Sequence, residues 1–289
     1  MMHRRRFLAI AGCFAAARAC AGAARWTGHA FGAEASIELQ GPDDVVRPAL
    51  QQARNVIADV EALFSLYNPG SDLSLLNASG DRAVPPRFHS LMRGADMAYR
   101  MTDGLFDPTV QPIWQALATG GDVTAARRHV GWDRVTIRGD RVRFGAGQAL
   151  TFNGIAQGFA TDLVSDLLRA RGFGQTLVNI GEHRGSGGPW RLGLADPIHG
   201  QLALRTIEDT AIATSSPLAT PLGPQGHIVH ASQTPKWSTV SVEAETATIA
   251  DALSTGLALG DLALAERVRG APGIHRITLI DAGGDLITL

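Results

Sequence analysis

Apolar residues recur every three to four positions along residues 43–64, at Val46, Leu50, Ala53, Ile57, Val60 and Leu63, a spacing that predicts one long amphipathic helix. A second run of this kind spans about Pro86 to Thr102 and stops at Asp103-Gly104. Ahead of them, residues 26–41 read as a first strand pair, and between them residues 65–80 (SLYNPGSDLSLLNASG) mix Asn, Pro, Gly and Ser around one aromatic, which reads as a shaped loop. Residues 123–148 read as a short helix followed by two strands joined at Gly139-Asp140. The stretch TFNGIAQGFATD, residues 151–162, leads through Gly154 and Gly158 into another amphipathic helix, with Thr151 and Asn153 available as caps. TLVNIG and WRLGLADP read as strands, residues 202–214 and WSTVSVEAE alternate as strands do, residues 249–270 form a helix or a helix pair, and residues 275–289 close as a hairpin around Gly283-Gly284. Helices and strands mix without a regular βαβ cadence, so the predicted class is α+β, antiparallel sheets with packed helices in one compact body.

The amino-terminal residues change the picture. A basic cluster, Arg4, Arg5 and Arg6, precedes an apolar segment from Phe7 to Ala17 and then small residues, which is the layout of an export signal. Arg4-Arg5-x-Phe7-Leu8 predicts a twin-arginine type of signal over residues 1–23, hence a periplasmic protein, with cleavage after Ala23 or Ala19. The apolar segment is shorter than the roughly 20 residues of a membrane span, so no stable span is expected after cleavage. Cys13 and Cys20 both lie in this leader, which excludes an internal disulfide and cysteine chemistry in the exported body. With 26 Lys plus Arg against 27 Asp plus Glu, nothing points to nucleic acid, and a small ligand or a protein partner fits better.

Candidate chemistry is carried by oxygen and imidazole. Gly154 and Gly158 remove side-chain bulk where a helix starts, so an anion such as phosphate could sit there, or the segment could be a plain capped helix start. Asp251 and Thr255 lie four apart on a predicted helix and share a face; two hard oxygens can hold Mg²⁺, while the alternative is a surface Asp beside a Thr bonding back to its backbone. His227, in GHIVHAS just ahead of a predicted strand, is a candidate base with His230 three residues on, and either could be structural. Asp107 precedes Pro108 at a helix start, where capping alone accounts for it. Tyr67 and Phe106 could stack on a planar ring or fill a core.

Taken in order, the blocks Ser65-x-Tyr67 with Ser71-Asp72-Leu73 and Leu76-Asn77, GLFDPTVQP at 104–112, NGIAQGFATD with VNIG behind it, AIATSS with His227-Ile228, and ADALSTG at 250–256 resemble the ApbE family, the FAD:protein FMN transferases. The resemblance implies an ApbE-like fold over residues 24–289 and an enzyme that moves FMN from FAD to a threonine or serine hydroxyl of an exported flavoprotein, with Mg²⁺ as cofactor and AMP leaving. It implies Asp251, Thr255 and the Gly154 carbonyl as the metal site, with Asp251 counted among the catalytic residues beside His227 as the group that helps deprotonate the acceptor. Phe31, Tyr67, Asn77, Leu105, Phe106, Asp107, Thr151, Gln157 and Val229 fall at cofactor-binding positions. The chain departs from the family pattern where Gln157 replaces a common lysine, Thr151 an acidic residue, and Gly181-Glu182-His183 the usual Gly-Gly-Asp, and His230 stands for the usual Asp after His-Ile-[Ile/Val]. Such variants resemble a branch associated with respiratory flavoprotein maturation, including nitrous oxide reduction. The loss of charge beside the nucleotide leaves a non-catalytic FAD-binding protein as one alternative, and the same metal site with water as acceptor, an FAD pyrophosphatase giving FMN and AMP, as another.

Overall fold

Strands β1 (Ala23–Ala30) and β2 (Ala33–Gln40) form the first hairpin of a computed structural model that describes residues 23–223 and 226–289. Residues 1–22 of the predicted signal, with Arg4, Arg5, Cys13 and Cys20, lie outside the described residues, and Ala23, its last residue, opens β1. The helix α1 (Asp43–Phe64) follows where its periodicity places it, burying Val46, Ala53, Ile57 and Val60. The segment read as a loop holds a helix, α2 (Asp72–Ser79). Its polar composition disguises it: Ser71 caps the Ser74 N–H, Leu73 and Leu76 are buried one turn apart, and Gly80 ends it in the left-handed region at φ +67°.

Strand β3 (Asp81–Ala83), helices α3 (Pro86–Met101), α4 (Gln111–Thr119) and α5 (Val123–Arg127), and strands β4 (Thr136–Arg138) and β5 (Arg141–Arg143) come next, with β3, β5 and β4 paired in a small separate sheet. Helix α6 (Ala156–Ala170) leads into β6 (Thr176–Asn179), β7 (His183–Ser186), the paired strands β8 (Trp190–Asp196) and β9 (Gly200–Ile207), β10 (Ala211–Ser215) and β11 (Thr239–Ala244). The region 249–270 resolves as a helix pair, α7 (Ala247–Leu257) and α8 (Leu262–Arg269), because Asp261 caps the second helix through the Leu264 N–H. The closing hairpin is β12 (Ile274–Ile280) and β13 (Leu286–Thr288).

The main sheet runs β1-β2-β6-β7-β10-β11-β12-β13, antiparallel throughout. Helices α6 and α7 pack together on it, and α1 and α3 pack against them in turn. Alternation decides which residues face which layer: Val178 and Ala213 enter the large core, whereas their neighbours Leu177 and Ile212 join Leu192 and Ile207 of the β8–β9 hairpin in a second cluster. The α+β class is as the sequence predicts, and no described helix is long and apolar enough to cross a membrane.

Candidate functional site

A loop that must carry a ligand has to be fixed from behind, and Phe152 does this for residues 151–155. Its ring is buried against Phe64 at 5.5 Å and Phe88 at 5.6 Å, so the flanking residues face outward. Asn77 holds the same segment from one residue earlier, donating to the Leu150 carbonyl at 2.8 Å and accepting the Leu150 N–H at 2.7 Å.

In front of this loop lies a cleft of about 1600 Å³. Leu105, Phe106 and Asp107 form one part of its wall, Thr151, Gly154 and Gln157 another, His227 and Val229 a third, and Asp251 and Thr255 reach it from α7. Phe31, Tyr67 and Asn77 stand outside that wall: Phe31 sits in the β1–β2 turn with its N–H on Glu61 Oε1 at 2.7 Å, Tyr67 is 73% exposed, and both amide atoms of Asn77 are engaged with Leu150. Four of the five motif blocks therefore meet on one cleft, although the chain separates the first of these from the last by more than a hundred residues.

The expected caps at Thr151 and Asn153 are not what closes α6. Thr151 Oγ1 accepts only the Asn153 N–H, at 3.3 Å, and the N-cap residue Ile155 has no side-chain bond to give. The Gly158 N–H instead reaches across to Asp251 Oδ2 at 3.0 Å. Asp251 is 3% exposed, which overturns the reading of it as a surface residue. Burial pushes its carboxyl up to about 7; the Gly158 bond works against this and the charge of Asp162 adds to it. Thr255 follows one turn later, and the backbone at 154 packs onto it: a Cβ on Gly154 would stand 2.9 Å from Thr255 Oγ1.

The hydroxyl hydrogens here have a definite direction. Ser254 Oγ donates to the Asp251 carbonyl at 2.9 Å, so in its 2.7 Å contact with Ser215 it must accept. Ser215 has then spent its hydrogen, and in its 3.2 Å contact with Thr255 the threonine donates. Thr255 Oγ1 is left with lone pairs to offer. Sequence reasoning missed Ser215 and Ser254, although both lie inside the quoted blocks AIATSS and ADALSTG. Among the described residues no cluster of three or more His, Cys, Asp or Glu side chains is suited to a metal, so a cation here would be held by mixed oxygens and water. The buried carboxylate, the hydroxyl with free lone pairs and the glycine backbone against it fit Mg²⁺.

His227 is half-buried, and its Nδ1 is 2.9 Å from the Pro217 carbonyl. A carbonyl only accepts, so Nδ1 carries the hydrogen and Nε2 the lone pair of a base. Burial moves its pKa below the ordinary histidine value, with the Pro217 and Thr220 carbonyls pulling the other way. The strand expected just after it is absent: the next strand is β11, from Thr239. His230 is committed differently, since its Nδ1 takes the Ser232 and Gln233 N–H groups, each at 3.2 Å. Asp107 caps a short 3₁₀ turn by accepting the Thr109 N–H at 2.7 Å and hydroxyl at 2.6 Å. Gln157 lies over Gly181, a glycine at φ +91° where a Cβ would collide with the Gln157 amide.

Two curated relatives align with part of the chain. The FAD:protein FMN transferase of Vibrio cholerae is 27% identical over 55% of this chain and 55% of its own length, and the protein of the same name from Chlamydia pneumoniae is 24% identical over 57% and 58%. The chain thus spans a little over half the length of the curated relatives it matches. Solved structures agree over nearly the whole fold. The flavin transferase ApbE from Vibrio cholerae superposes with a TM-score of 0.81 at 22% identity, covering 92% of this chain and 96% of that one. The apo form of the Pseudomonas stutzeri flavinyl transferase ApbE gives 0.80 at 23%, covering 92% and 94%. The sequence profile of the ApbE family matches residues 31–273, a span that contains every cleft residue named above, and the chain belongs to that family.

Proposed function

We propose that this protein transfers FMN from FAD to a threonine or serine hydroxyl of an exported flavoprotein, releasing AMP. The observation that carries the reading is the convergence on one cleft of a buried Asp251, the Thr255 hydroxyl with its lone pairs free, the Gly154 backbone against it, and His227 with Nε2 as its basic nitrogen. Asp251 Oδ1, Thr255 Oγ1 and the Gly154 carbonyl would hold Mg²⁺, which supplies charge neutralisation on the pyrophosphate when bound. Gln157 donates its amide hydrogens toward a phosphate oxygen, as a neutral group rather than a point charge. His227 Nε2 takes the proton of the acceptor hydroxyl as that oxygen attacks the phosphorus on the flavin side. The bond from that phosphorus to the bridging oxygen breaks, and the electron pair leaves with AMP. The Arg4-Arg5 leader would deliver the protein to the periplasm, where its acceptors are folded.

The relatives' names support the transferase reading, and Gln157 and Thr151 favour a second, in which FAD is bound without turnover because charge beside the nucleotide is lost. Incubation with FAD, Mg²⁺ and a panel of flavoprotein acceptor domains separates them. Transfer raises the acceptor mass by one FMN with one AMP per event. Storage leaves FAD intact, and a pyrophosphatase yields free FMN and AMP with the acceptor unchanged.

A further inference from the structure

We infer that Glu182 is a second carboxylate ligand of the divalent cation in this cleft, so that the chain takes up the cation before FAD. The inference rests on the cation site proposed at Asp251 and Thr255. Glu182 stands between β6 and β7, is 7% exposed, and lines the cleft together with Asp251. The two carboxylates are anchored alike. Glu182 Oε2 accepts the Thr214 N–H at 3.1 Å, and Asp251 Oδ2 accepts the Gly158 N–H at 3.0 Å. Among the described residues no hydrogen bond takes the other oxygen of either group, Glu182 Oε1 or Asp251 Oδ1.

Two buried anions that line one cleft repel, and burying either without compensation is costly. The wall offers no fixed positive charge to settle this: among the described residues its one Arg or Lys is Arg25, which stands 3.6 Å from Glu38, and the residue packed beside Glu182 over Gly181 is the uncharged Gln157. A divalent cation supplies what is missing. Mg²⁺ commonly takes one or two carboxylates and completes its shell with hydroxyls, carbonyls and water, and two carboxylates neutralise it without any help from a phosphate. With one carboxylate, cation binding would depend on the pyrophosphate arriving too. A proton shared by the pair is the competing compensation, and it predicts no affinity for a cation while FAD is absent.

The test is a titration of FAD-free protein with Mn²⁺ alone, free Mn²⁺ being read by its paramagnetic resonance signal and folding by the thermal melt. Wild type should bind Mn²⁺ and gain Tm. Glu182→Gln, which keeps the acceptor for the Thr214 N–H, should bind about tenfold more weakly or worse, with a smaller Tm gain. If that variant does not fold, Glu182→Met, similar in length and uncharged, makes the same comparison. Unaltered Mn²⁺ affinity in a folded Glu182 variant, with binding lost in Asp251→Asn, overturns the inference and leaves the proposed function standing. Wild type that takes up no Mn²⁺ without FAD also overturns it. Unaltered binding in both variants places the cation elsewhere and removes the proposed site as well.

Discussion

Asp251 and Asp162 cap each other's helices. Asp251, on α7, accepts the Gly158 N–H at the start of α6 at 3.0 Å, and Asp162, on α6, accepts the Ala247 and Thr248 N–H groups at the start of α7 at 2.9 and 2.8 Å. Each carboxylate also meets the positive end of the other helix's dipole. Arg184 Nη1 holds Asp162 at 2.8 Å, so the pair is tied to strand β7 beneath it. The position of the cleft carboxylate is thus a property of two helices and a strand, not of one side chain.

The approach of α6 to α7 needs Gly158, since a Cβ there would collide with the Ala247 carbonyl, which is backbone and cannot swing away. Gly158→Ala should destabilise the fold by about 1–3 kcal/mol in a urea melt. It should also disturb FAD binding, because Asp251 loses its anchor. A neutral result in both assays would contradict the cross-capping account.

Without a cation, Asp251 makes stability fall as pH rises. Its folded pKa of about 7 lies above the ordinary 3.8 because of burial, so its contribution is complete below about 3.8 and is lost as pH climbs through 7. Glu182, pushed well above the carboxylate range by burial and then by Asp251, and Asp162, raised by burial, act in the same direction. Thermal melts with EDTA should therefore decline from pH 4 to pH 7 more steeply in wild type than in Asp251→Asn. Equal slopes would mean that Asp251 does not titrate there.

Removing Ser215 takes away the acceptor that receives the Thr255 hydrogen. Ser215→Ala should weaken Mg²⁺-dependent FAD binding about three- to tenfold, the worth of one hydrogen bond of about 1 kcal/mol. Calorimetry with FAD and Mg²⁺ reads this directly. Unaltered binding would show that the direction of the hydroxyl chain is immaterial.

For His227 the expected loss is in rate and not in binding. His227→Asn should slow transfer about 10²- to 10⁴-fold while FAD affinity stays within error. Because burial lowers its pKa below the ordinary 6.5, wild-type activity should hold down to below pH 6.5 before falling. Loss of FAD binding in His227→Asn would assign it a packing role instead.

Where periodicity or a short motif sufficed, the sequence was legible: α1 appears at residues 43–64 as its apolar spacing demands, and the i, i+4 pair Asp251/Thr255 shares a helix face in the cleft. Helix α2 was hidden because Asp, Ser and Asn in DLSLLNAS are common to caps and turns, and β7, with the sequence HRGS, has neither alternation nor length. The partner of the Gly158 amide was beyond reach for a different reason. It lies 93 residues away, so local chemistry offered Thr151 and Asn153 as caps when tertiary packing supplies Asp251. Glu182 stood out only as a departure from a motif, and its place in the same cleft as Asp251 depends on the order of strands in the sheet.

The most direct test of the central claim, that the cleft holds the FAD pyrophosphate on a cation between Asp251 and Thr255, is anomalous scattering from a crystal of the protein grown with FAD and Mn²⁺. A manganese peak within coordination distance of the Asp251 carboxylate and the Thr255 hydroxyl, with the pyrophosphate on its open side and the Gly154 loop opposite, is the result expected. A peak elsewhere, or FAD bound with its phosphates away from these two side chains, would contradict it.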